Sequence, residues 1–328
     1  MKRLIPMFVM VVVVLTSCAL PNGSSPETTS ADASGAESAP PPPPVPLDAV
    51  LAAVKAAQST TQLPTSVTPA MLSKVQRSDI GLWGMPDCNP EYGTTSLDDL
   101  EPCTVGDPDG AKTLVVIGDS QALQWSGSLD WVGKRNGWKV VVLGKDNCGP
   151  ATLTYYQYQL KRDFTECDEW QKWRMGQIAE LKPAAVLMIG WYGGNTGPDR
   201  PFGPDIWRDA LIATVKQLPP GVKAAMLTNQ PHITLNPGDC LARNTTDIQK
   251  CNEPAASVID AEGTAAFRAA ADATAATLID VTAWFCGDQS CPVVVDPNVV
   301  YSGKYHITHD YGHFLSGVVS DALQPAMG

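Results

Sequence analysis

The chain is poor in basic residues and nowhere gathers them into a cluster. Of 328 residues, 23 are Lys or Arg against 34 Asp or Glu, a net charge of −11. Nucleic acid and anionic lipid surfaces are therefore excluded as expected partners. Nine cysteines contain no Cys-x-x-Cys pair, and their spacings match no zinc motif. The apolar run Met7–Leu15 is too short to span a bilayer. No internal repeat is visible. Histidine is scarce, with four residues in the whole chain, so any general base has few candidates.

What is present begins with an export signature. Lys2 and Arg3 precede the apolar run, and Leu15-Thr16-Ser17-Cys18 resembles a bacterial lipobox. Residues 1–17 are expected to be a lipoprotein signal peptide and Cys18 the lipidated amino terminus, firmly anchored by its acyl chains. Residues 18–46 read as a Ser/Thr/Pro linker, flexible first and stiff over Pro40–Pro44. Removing Cys18 leaves eight cysteines, an even count that implies disulfides in an exported protein. Four local pairings suggest themselves: Cys88–Cys103, Cys148–Cys167, Cys240–Cys251 and Cys286–Cys291.

Residues 47–110 start with an amphipathic helix, Leu47–Gln58, and then lack apolar periodicity. They are expected to wrap a main domain at 111–328. There, strand-like runs (Thr113–Ile117, Lys139–Leu143, Ala184–Ile189, Lys223–Leu227, Thr277–Val281) alternate with helical ones (Ala122–Arg135, Asp168–Leu181, Ile206–Leu218, Ala261–Ala275), and Tyr311–Ala322 closes the chain. Such alternation predicts an α/β domain, a flavodoxin-like three-layer sandwich around a five-stranded parallel sheet.

The chemistry concentrates where the first run ends, at Gly118-Asp119-Ser120. A polar turn at the carboxyl end of a buried strand is where open α/β sheets place their sites. The same tripeptide also suits an ordinary helix cap, so Ser120 as nucleophile needs partners. His306, in a loop before the closing helix, is the candidate base, because a serine hydroxyl is a poor nucleophile without one. Asn195, in Gly193-Gly194-Asn195, is a candidate oxyanion donor beside the Ser120 N–H, with a last donor from Gly149 or Gly144. His232 is a candidate substrate contact. His306, His309 and His313 are spaced for one helix face, but His306 reads as loop and no carboxylate motif accompanies them. No metal or cofactor is expected, and His309 and His313 read as solvated.

Taken together, Gly118-Asp119-Ser120, a later Gly-x-Asn and a near-terminal His resemble the SGNH (GDSL) hydrolase superfamily. The likeness is closer to the SGNH domains fused to acyltransferase-3 proteins in actinobacteria. It is carried by Gly118-Asp119-Ser120-x-Ala122-x-x-Trp125, Cys148-Gly149-Pro150, Cys167-x-x-Trp170, Asp239-Cys240-Leu241, Trp284-Phe285-Cys286, Cys291-Pro292, and Tyr301 before His306-Ile307-Thr308. The resemblance implies an extracytoplasmic esterase or acyltransferase acting on O-acyl groups of cell-envelope glycans. With the lipobox, the leading expectation is a lipid-anchored, monomeric serine esterase whose substrate is an envelope polysaccharide or glycolipid. An O-acyltransferase working with a membrane acyltransferase partner, or a weakened glycan-binding module, are the alternatives. Two positions depart from the family. Gly303 stands where an Asp three residues before the His is usual, so a main-chain carbonyl, Asp296 or Asp310 would have to orient the ring. Aligned from Gly190, Tyr192 replaces the Asn, and Asn195 must act from three residues further on.

Overall fold

The computed structural model describes residues 41–77, 85, 88–192, 195–197, 200–201 and 203–328. The signal, Cys18 and most of the linker lie outside the described residues.

Six strands form the central sheet: β1 (Thr104–Gly106), β2 (Lys112–Gly118), β3 (Trp138–Gly144), β4 (Ala185–Ile189), β5 (Lys223–Leu227) and β6 (Thr277–Ile279). Their order is β1-β3-β2-β4-β5-β6. The five strands expected from the sequence are mutually parallel, in the flavodoxin-like order. The sixth corrects the predicted count: β1 adds antiparallel to β3 at the edge. It is three residues long and only partly buried, too short for alternation to register.

The side-chain period of two divides the core between the two faces of the sheet. Leu114 and Val116 of β2 join one core, with Leu129, Val132, Val319 and Leu323. Val115 and Ile117 join the other, with Trp170, Trp207 and Phe267. All four β2 residues are wholly buried, each contributing about 1.5–3 kcal/mol. On the first face lie α1 (Leu47–Ala57), α2 (Pro69–Arg77), α3 (Ser120–Leu123), α4 (Ser126–Asn136) and, at the end of the chain, α8 (His309–Phe314) and α9 (Ser316–Met327). On the second lie α5 (Thr165–Leu181), α6 (Pro204–Lys216) and α7 (Ala261–Thr274). The run expected as one helix from Ala122 is therefore two, joined at the wholly buried Trp125, whose ring meets Phe285 edge-on. Among the described residues no helix is long and apolar enough to cross a membrane.

The end of the linker is docked. Arg135 Nη2 donates to the Pro42 carbonyl at 3.1 Å. Gly317 is packed so closely that a Cβ there would come 2.4 Å from the Val45 carbonyl oxygen.

All four local cysteine pairs are disulfides. Cys148–Cys167 closes a separation of 19 residues and ties the chain after β3 to the start of α5. Replacing both cysteines by serine should lower stability by about 3 kcal/mol, the loop-entropy value for that separation. Denaturant melts of parent and variant measure it.

Candidate active site

Strand β2 ends in glycine because its neighbour leaves no space: a Cβ on Gly118 would lie 1.7 Å from the Ile189 carbonyl oxygen. Asp119 follows in extended conformation and caps α3, accepting from the Gln121 N–H at 2.9 Å. Its second oxygen accepts from the Trp191 N–H at 2.9 Å, in the turn after β4. Burial pushes the Asp119 pKa up to about 6, while the two N–H bonds pull it down by favouring the anion. The group is thus still ionised at neutral pH. The same turn is held from the other side by Asn229, which accepts from the Tyr192 N–H at 3.2 Å and donates to the Gly190 carbonyl at 2.7 Å.

His306 arrives on a hairpin rather than a loop. Strands β7 (Tyr301–Ser302) and β8 (His306–Ile307) pair antiparallel, with Ser302 opposite His306. The connection starts at Gly303 with φ +64°, the left-handed region that favours glycine. Its N–H donates to the Val75 carbonyl of α2 at 3.1 Å. This hairpin brings His306 Nε2 to 3.0 Å from Ser120 Oγ. Burial lowers the His306 pKa to about 4. The ring is therefore neutral at pH 7, and the tautomer with Nε2 unprotonated can accept the serine proton. Asp296 is exposed on the turn between Val295 and Asn298. Asp310 stands in the first turn of α8, where its charge acts on His309 and His313.

Ser120 and His306 both line a cleft of about 590 Å³. Its walls are aromatic, with Tyr92, Tyr155, Tyr156, Tyr158, Trp191 and Tyr305. Tyr158 and Tyr305 are 54 % and 51 % exposed. Trp191 meets Tyr305 edge-on at 5.3 Å and stacks on His232 at 3.5 Å. His232 thus backs the wall, with its pKa pushed down to about 3 by burial and by His306. Tyr92 is held in place by Asn147 Nδ2, which donates to its hydroxyl at 2.9 Å. The loop carrying it is fastened by Lys145, wholly buried, whose ammonium donates to the carbonyls of Glu91 and Thr94.

The expected oxyanion donors are less closely defined. Gly149 is buried behind Tyr155, where a Cβ would come 2.4 Å from the tyrosine hydroxyl, and Arg174 Nη2 donates to its carbonyl at 2.9 Å. Gly144 closes β3 against Leu123, a packing role. Asn195 begins a short strand paired with Pro201, and Gly193 and Gly194 lie outside the described residues. Tyr192, in the family's Asn position, is buried with its hydroxyl 3.4 Å from Glu262. His309 and His313 are not solvated as expected. They are partly buried against α4, where a Cβ on Gly127 would lie 2.5 Å from His309 Nε2, and His313 stacks on Trp131 at 3.7 Å. Among the described residues no group of three His, Cys, Asp or Glu is placed to hold a metal ion.

Sequence reasoning did not reach the bond from Asp119 to Trp191 or the aromatic wall. The run Tyr155-Tyr156-x-Tyr158 was the available signal for the wall.

A family model described as the SGNH domain fused to AT3 domains matches residues 87–320. Among solved structures, the chain is similar to the periplasmic domain of the lipopolysaccharide acetyltransferase of Salmonella ser. Paratyphi A, with a TM-score of 0.56 and 15 % identity over 75 % of this chain and 97 % of that one. It also matches a carbohydrate esterase family 2 enzyme with its carbohydrate binding domain from Corynascus thermopiles (Myceliophthora fergusii), at a TM-score of 0.42 and 17 % identity over 67 % and 68 %. No curated protein matches the chain significantly.

Because Asp119 takes its proton near pH 6 and His306 only near pH 4, the reaction of Ser120 with a fluorophosphonate should be level above about pH 7 and decline in a first step around pH 6. Below about 4 it should fall roughly tenfold per unit as the base is lost. Stability has its own window. The buried neutral His306 and His232, depressed to about 4 and about 3, contribute stability above about pH 6.5 that is lost as pH falls through those values. Asp119, raised to about 6, opposes them between its unfolded value and 6. Asp119→Ala should lower stability by about 1–2 kcal/mol through the lost cap and slow the fluorophosphonate reaction. Urea melts and labelling rates read the two effects.

Proposed function

The chain belongs to the family of SGNH domains that occur fused to AT3 domains, and from that premise we propose that it is an extracytoplasmic serine esterase. Its substrate is proposed to be a cell-envelope glycan or glycolipid bearing acetyl or another short acyl group. The observation that carries the reading is the Ser120 Oγ–His306 Nε2 pair, 3.0 Å apart on the wall of an aromatic cleft. Aromatic faces suit the apolar faces of sugar rings, and the cleft is far larger than an acetyl group requires.

In this reading Ser120 Oγ attacks the ester carbonyl while His306 Nε2 accepts its proton. The negative charge on the carbonyl oxygen is met by the Ser120 N–H, which as the first N–H of α3 has no partner within its helix. Gly149 and Asn195 are the proposed further donors. His306 then gives the proton to the departing sugar oxygen. Water, deprotonated by the same nitrogen, attacks the acyl carbonyl, and His306 returns that proton to Ser120 Oγ as the acid leaves. Four disulfides support an oxidising, extracytoplasmic setting, and lipidation at Cys18 would hold a monomer at the membrane.

A second reading, O-acyl transfer, is favoured by the fusion partner in the family's description and by the acetyltransferase domain whose fold the chain shares. It uses the same acyl-enzyme with a sugar hydroxyl in place of water, and it requires a donor such as a membrane acyltransferase partner. A glycan-binding role without turnover is the third outcome.

Ser120→Ala should reduce hydrolysis of p-nitrophenyl acetate and of acetylated glycans by at least about 10³-fold. A parent no faster than this variant on either substrate would sink the esterase reading in favour of binding. Tyr158→Ala should raise KM for a glycan ester about fivefold, the equivalent of about 1 kcal/mol for one aromatic contact. The same variant should leave p-nitrophenyl acetate turnover unchanged.

A further inference from the structure

Three buried glutamines join the nucleophile's helix to the histidine's hairpin. Gln121, Gln124 and Gln230 are 2 %, 1 % and 1 % exposed. Gln121 opens the site from α3, Gln124 follows that helix, and Gln230 comes from the turn after β5. Their amides bond to one another: Gln230 Nε2 donates to Gln121 Oε1 at 2.6 Å, and Gln124 Nε2 donates to Gln121 Oε1 at 2.8 Å and to Gln230 Oε1 at 3.1 Å. Among the described residues, the remaining side-chain bonds leave the trio for two places. Gln121 Nε2 and Gln230 Nε2 both donate to the Tyr305 carbonyl, at 3.1 and 2.8 Å. Gln124 Oε1 accepts from the Ile307 N–H at 2.8 Å.

Those two groups are the backbone polar atoms on either side of His306. Fixing the carbonyl before it and the N–H after it fixes the backbone from which the imidazole projects. A buried polar network is a costly way to fill space, since three apolar side chains would occupy the volume without the risk of unpaired amides. In this chain the network stands where Gly303 supplies no carboxylate to hold the ring. We propose that Gln121, Gln124 and Gln230 are positioning residues for His306, setting its ring against Ser120 through the backbone. The proposal rests on the reading of Ser120 and His306 as nucleophile and base.

Gln124→Met and Gln230→Met should each lower kcat for p-nitrophenyl acetate about 10–100-fold with KM within about twofold, because sub-ångström misplacement acts on the chemical step. Gln124→Glu keeps the size of the side chain and supplies a variant that tolerates folding. Its buried carboxylate would face two amide oxygens at pH 7 and depress kcat. Protonation as pH falls toward 5 restores a donor, so the ratio of variant to parent kcat at the same pH should rise, a response that mere packing would not give. Hydrogen exchange at the Ile307 amide provides a readout without turnover: it should quicken in Gln124→Met while the β2 amides stay protected. Folded variants with kcat within about twofold of the parent, or unchanged exchange at Ile307, would overturn the proposal. If the parent itself neither hydrolyses esters nor reacts with a fluorophosphonate, the esterase reading fails, and the exchange at Ile307 still decides whether the trio holds the hairpin.

Discussion

Asp119 lies buried between the ends of two neighbouring parallel strands, with its oxygens committed to two different turns. One oxygen starts the helix that presents Ser120. The other holds the backbone of Trp191, whose ring stacks on His232 and meets Tyr305 on the histidine hairpin. Ser120, the cleft wall and His306 are therefore linked through one anion. The sheet makes this possible: β2 and β4 are in register to their last residues, Gly118 opposite Ile189, so their following turns emerge side by side. Without a glycine at 118 that approach could not occur, which gives the Gly-Asp-Ser sequence a steric reason beside its chemical one.

Strands β2 to β5 were legible because each is an apolar run that is almost wholly buried, a pattern that needs no knowledge of neighbours. Strand β6, only three residues long, was marked by a strand-like run that continues past it to Val281. Strand β1 was not, since Thr104–Gly106 is a three-residue edge whose pairing depends on β3, far along the chain. Ser120 and His306 could be singled out as candidates because few residue types suit such chemistry and the chain holds four histidines, and the fold brings the two side chains together. The glutamines were invisible for the opposite reason. Gln121 and Gln124 look like ordinary polar helix residues, and only the fold brings Gln230 to them across 109 and 106 positions. The hairpin around His306 leaves no strand signal in the sequence, because its strand is two residues long.

Gly303 looks different in the fold than it does in the sequence. As a missing carboxylate it suggests a damaged site. As a left-handed residue that opens a tight hairpin and bonds to α2, it is a structural element in its own right. The hairpin it permits delivers His306 to hydrogen-bonding distance of Ser120.

If Ser120 is acylated as proposed, the breadth of the cleft bears on which nucleophile would finish the reaction. A pocket cut to an acetyl group would admit water and little else once the first product had left. A hollow of about 590 Å³ lined by six aromatic side chains could, on that reading, keep a sugar in place beside an acylated Ser120. A hydroxyl held there competes with solvent through its effective molarity, which for well-oriented groups can exceed any attainable bulk concentration. The partition between hydrolysis and transfer then becomes a matter of how long the glycan stays and how it is turned. Two chains with the same serine and histidine could therefore differ in reaction type through their aromatic walls alone.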